Sequence, residues 1–111
     1  MKEKILFYAM EGEKMCFMHA IMNALDLKES GHDVKLILEG AACKLHSVLR
    51  DENNPLYKKL LDSDILIGVC LACSKMLGVY EKNKDIPFLD DMNGHAGMKS
   101  FIEKGYKVVV M

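Results

Sequence analysis

The sequence holds only two prolines, no charge excess of either sign, few cysteines and no long apolar run, and each shortage removes a class of protein. With half of the 111 residues hydrophobic and 28% charged, so little proline marks a globular chain rather than a disordered one. Fifteen Lys+Arg against sixteen Asp+Glu leave a net charge of -1, which offers nucleic acid or an anionic membrane no overall attraction. Uncharged stretches such as Ile65 to Ser74 fall far short of the ~20 residues that span a bilayer. The apolar run Ile5 to Met10 stops at Glu11, too short for the core of a signal peptide. Four cysteines are too thin a framework for a disulfide mini-protein, so reduced thiols in a soluble cytoplasmic protein are the expectation. Gly12 stands alone in the first strand-to-helix turn, and neither Gly-Lys-Ser/Thr nor Gly-x-Ser-x-Gly occurs. Nucleotide binding and acyl hydrolysis are therefore unsupported, and no cofactor is expected.

What is present is an alternation of strand and helix signals over a length suited to one domain, residues 1–111. Lys4 to Met10 reads as a strand. Met15 to Leu27 reads as a helix with a stripe of Phe17, Ala20, Ile21, Ala24 and Leu25, widened by Met15, Met18 and Met22 into a face covered on two sides. Gly31 ends that helix, and Val34 to Leu38 is a second strand. Ala41 to Leu49 suits a helix, Asn54-Pro55 starts another through Leu61, and Asp64 to Val69 is an almost uninterrupted apolar strand. A short helix near Ala72 to Leu77, a weak strand at Ile86 to Leu89, a helix from His95 to Lys104 and a strand from Tyr106 to Met111 complete the chain, whose end is expected inside the sheet. The alternation predicts a three-layer α/β domain: a mainly parallel sheet of about five strands with helices on both faces, in a flavodoxin-like arrangement.

In such sheets ligands bind beyond the carboxyl ends of the strands. Cys70 follows the apolar strand directly and opens the next helix, where backbone N–H groups favour a thiolate, and Cys73 lies one helical turn on. Lys75 adds positive charge, whereas Glu11, Glu13, Glu39, Asp90 and Asp91 on the same edge oppose a thiolate. Cys43 and Cys16 are read as packing residues, and His95, near the start of the last helix, as an exposed polar residue, with a proton carrier as the alternative. Cys43, His46, Cys70 and Cys73 have spacings that a zinc ion can use, but no metal is assigned, because the Cys-x-x-His pairs need their helices turned the right way.

Read end to end, the chain resembles the DsrE/DsrF-like family of small sulfur-relay (TusD-like) proteins. The resemblance rests on the opening strand with its apolar helix, the Glu39-Gly40-Ala41-Ala42 turn, Cys70 with Gly78 eight residues later, and the closing Gly105-Tyr106-Lys107-Val108-Val109-Val110. It implies a sulfurtransferase-type carrier that holds sulfane sulfur as a persulfide on Cys70. It also implies a sulfur-donor or sulfur-acceptor protein as partner, and a homo-oligomer of three or six copies that covers the Met-rich helix face. Cys73 is not part of that motif, which keeps two alternatives open: a dithiol–disulfide oxidoreductase using Cys70 and Cys73, and a non-enzymatic binding or assembly module with structural or zinc-binding cysteines.

Overall fold

A computed structural model describes residues 2–111. Five strands, β1 (Lys4–Ala9), β2 (Asp33–Leu38), β3 (Leu66–Cys70), β4 (Phe88–Leu89) and β5 (Lys107–Val110), pair in the order β4-β3-β2-β1-β5, every pair parallel. The expected α/β architecture is present. Apart from its first residue β1 is buried along its whole length, and so are Leu36, Ile37 and Leu38 of β2, as a sheet covered on both faces requires.

Helix α1 (Lys14–Glu29) buries the predicted stripe Phe17, Ala20, Ile21, Ala24 and Leu25. Met15 and Met22 stay exposed, so only one side of this helix is covered within the chain. Gly31, at φ +92°, turns the chain from α1 toward β2 in a conformation that other residues rarely adopt. The predicted helix at Ala41 to Leu49 divides into a 3₁₀ segment (Gly40–Lys44) and α2 (Leu45–Asp51). Asn54 caps α3 (Pro55–Leu61) by accepting the N–H groups of Leu56 and Tyr57, and Pro55 takes the first position, where no N–H is needed.

β3 starts two residues later than predicted, since Asp64 has φ 64° and cannot lie in a strand, and it ends on Cys70 itself. β4 shrinks to Phe88–Leu89 because Pro87, lacking an N–H, can only accept from Val69 at the sheet edge. Gly68 permits that approach: a Cβ there would sit 2.5 Å from the Pro87 carbonyl oxygen. The closing strand is an edge strand beside β1, with Val109 and Val110 exposed, so the chain end lies at the sheet's rim rather than inside it.

The strand order fixes where a crevice opens. From β1 to β4 each step moves the same way along the sheet, so right-handed crossovers put α1, α2, α3 and α4 (Leu71–Met76) on one face. The return from β4 to β5 runs the other way, and α5 (Lys99–Glu103) crosses the opposite face, where Phe101 comes near Ile37 and Ile67. β3 and β4 are adjacent and send their connections to opposite faces, which makes their carboxyl ends the switch point. No helix among the described residues is long and apolar enough to cross a membrane.

Candidate functional site

Four side chains meet at that switch point: Glu39 from the end of β2, Cys70 from the end of β3, Cys73 from α4, and His95 from the loop after β4. Cys70 is fully buried and caps α4, with its Sγ accepting the backbone N–H of Cys73 (3.5 Å) and of Ala96 (3.4 Å). His95 Nδ1 lies 3.3 Å from Cys70 Sγ and 3.6 Å from Cys73 Sγ. Cys73, half-buried, donates its S–H to Glu39 Oε1 at 2.9 Å. All four cysteines are free thiols.

Glu39 is a buried carboxylate held from both ends. Its Oε1 accepts the N–H of Gly40 (3.2 Å), and its Oε2 accepts the Tyr8 hydroxyl (3.0 Å), which also lies 2.9 Å from the Ala96 carbonyl oxygen. Burial and the hydrogen bond to Glu39 push the Tyr8 phenol above its ordinary range, so it stays a proton donor. Burial and the bond to Glu39 likewise raise the Cys73 thiol. The two thiols are thus unequal: Cys70 is an acceptor for two N–H groups, whereas Cys73 is a donor to a carboxylate. The ammonium of Lys75 sits 5.6 Å over the Tyr80 ring.

His95 departs most from the sequence reading. It does not begin a helix, since α5 starts only at Lys99. Asn93 (φ 49°) and Gly94 (φ 89°) form a two-residue turn, closed by paired backbone hydrogen bonds between Met92 and His95. Both positive angles are those of a type I′ hairpin, for which Asn-Gly is the strongest short-range signal. That turn delivers His95 to Cys70. The loop is pinned where Ala72 N–H donates to the Gly94 carbonyl and where Gly97 N–H donates to Asp91.

Other candidates fall outside the cluster. His46 is fully buried, with Nδ1 2.5 Å from the Tyr57 hydroxyl and Nε2 2.8 Å from Asp85 Oδ1. The spacing Cys43, His46, Cys70, Cys73 therefore does not form a ligand set. Cys43 is buried as expected, its thiol pushed up to about 12 by burial and by the neighbouring Cys70 and Glu39. Cys16, expected to pack, is exposed on α1. Of the five acidic residues placed on this edge, Glu39 is the one within the cluster.

No protein-family profile matches the chain, and no solved structure matches it. It is similar to the uncharacterized protein MJ0733 of Methanocaldococcus jannaschii, at 36% identity over 96 residues, which are 83% of this chain and 77% of that protein. At that identity and coverage, the chain belongs to the family of MJ0733.

Proposed function

We propose that the protein is a sulfur carrier that holds sulfane sulfur as a persulfide on Cys70, as its resemblance to the DsrE/DsrF-like proteins implies. One observation carries the reading: Cys70 Sγ accepts two backbone N–H groups and faces His95 Nδ1, whereas Cys73 donates its own proton to Glu39. The thiolate attacks the outer sulfur of a donor R–S–SH. A Cys70–S–SH bond forms, the donor's S–S bond breaks, and its electron pair leaves as R–S⁻, with no net oxidation. Cys73, at the more exposed side, then takes the sulfur onward or is passed over in favour of an acceptor protein's thiol. A cytoplasmic setting and a trimeric or hexameric assembly belong to the same proposal, and the exposed Met15 and Met22 support the assembly by offering apolar surface for it.

The test is the intact mass of the reduced protein after exposure to inorganic polysulfide, in wild type, Cys70→Ser and Cys73→Ser, with an alkylation control. Sulfur-atom increments that vanish in Cys70→Ser support the carrier, and full loading of that variant overturns it. The adjacency of the two thiols favours a second reading, a dithiol–disulfide couple, which the same spectra would reveal as loss of two hydrogens requiring both cysteines.

A further inference from the structure

We infer that Glu39 Oε1, Cys70 Sγ, Cys73 Sγ and His95 Nδ1 form a four-ligand site for a zinc-class divalent cation. These atoms all lie within 4.8 Å of one another. The separations are 2.9 Å from Cys73 Sγ to Glu39 Oε1, 3.3 and 3.6 Å from His95 Nδ1 to the sulfurs, and 4.0 Å from His95 Nδ1 to Glu39 Oε1. A tetrahedral ion with metal–sulfur bonds of about 2.3 Å and metal–nitrogen or metal–oxygen bonds of about 2.0 Å needs ligand edges of about 3.3–3.8 Å. The two edges from His95 to the sulfurs already lie within or close to that range, and side-chain shifts of less than an ångström bring the other two given edges to it.

The surroundings are those of an oriented ligand set. Tyr8 holds Oε2 of Glu39 and so turns Oε1 inward, while the N–H groups of Cys73 and Ala96 point at Cys70 Sγ. Such outer contacts fix the direction of metal ligands. Two sulfurs and an imidazole with one carboxylate select zinc-class ions over magnesium or calcium, which want oxygen alone. On binding, both thiols release their protons to solvent, so the dication faces three anionic ligands and a neutral imidazole, with a net charge of −1. Glu39, Cys70 and His95 belong to three successive strand ends, so a bound ion ties the crevice shut. It also occupies the sulfur that a persulfide needs. This masking of Cys70 rests on the sulfur-carrier reading, whereas cation binding does not.

The experiment uses the full chain, reduced with a phosphine and freed of metal by chelator. Zn²⁺ is titrated against a chromophoric chelator and Co²⁺ is followed by its visible spectrum. One ion per chain and a tetrahedral thiolate–cobalt spectrum are expected, with binding weakened at least about tenfold in Cys73→Ser and in His95→Ala and unchanged in Cys16→Ser. The first two positions are partly exposed, so these variants retain the fold, which circular dichroism checks. Failure to hold Zn²⁺ against the chelator, or binding indifferent to both substitutions, overturns the inference. Polysulfide loading is then compared with and without Zn²⁺. Suppression by Zn²⁺ supports the masking, loading indifferent to bound Zn²⁺ overturns it, and Zn²⁺ binding without any sulfur loading leaves the metal site standing and removes the carrier reading.

Discussion

Two polar clusters in this molecule are each built around a histidine, one three residues from a cysteine and the other one residue past a tight turn, and they are built to opposite ends. Around His46 every ring nitrogen has one partner, Tyr57 on one side and Asp85 on the other, and Arg50 Nη1 closes the far side of Asp85 at 3.1 Å. Around His95 a single nitrogen faces two sulfurs, beside a carboxylate that one of them already contacts. The first arrangement is saturated and ties α2 and α3 to the loop carrying Asp85. The second concentrates groups able to lose protons, and so it can exchange them for something else. Sequence spacing does not separate the two, whereas the number of partners per polar atom does.

The sharpest way to break this comparison is to remove each histidine. His46→Ala should cost about 3 kcal/mol of stability, because Tyr57 loses its partner within the core and a cavity opens, while polysulfide loading per folded molecule stays as it was. His95→Ala should change stability by less than about 1 kcal/mol and alter the alkylation rate of Cys70 instead. Denaturant unfolding together with timed alkylation reads both; equal stability losses would abolish the distinction. An effect smaller than that of His46→Ala is expected from Gly94→Ala, which imposes a side chain at φ +89° at a cost of about 1 kcal/mol. Nothing crowds that position closely, so any change in Cys70 alkylation there reports a displaced turn.

The smallest effect lies on the His46 side and depends on pH. Partial burial acts to raise the Asp85 carboxyl, but hydrogen bonds from His46 and Arg50 prevail and hold it below its ordinary value of 3.8. Its contribution to stability is therefore complete above the unfolded-state value and is lost as pH falls through the lower folded-state value. Asp85→Asn should flatten this acid limb of the stability curve and leave its shape above pH ~5 unchanged. Unchanged curvature in acid unfolding would show that the carboxylate contributes nothing.

The parallel sheet and the α1 stripe were legible because burial on both faces leaves long apolar runs and a 3.6-residue rhythm. Cys70 and Cys73 were legible because a strand end followed by a helix start marks the carboxyl edge. Glu39 was visible there only as one of several acids, and its selection depends on Tyr8, thirty-one positions away in the chain, which no local pattern connects. His95 was misread by starting the last helix directly after Asn93-Gly94, although those two residues carry a hairpin signal that places His95 in the closing pair of a turn. The exposure of Cys16 was hidden by its apolar neighbours, since Met15, Met18 and Met22 extend the apolar surface of α1 beyond the stripe that the sheet covers.

The Tyr8 hydroxyl, wedged between the Glu39 carboxylate and the Ala96 carbonyl, has an optical consequence. The chain contains no tryptophan and four tyrosines, so its near-ultraviolet emission is phenolic alone, and one of its four emitters touches the site directly. Whatever Glu39 binds or releases is therefore written into the protein's own light.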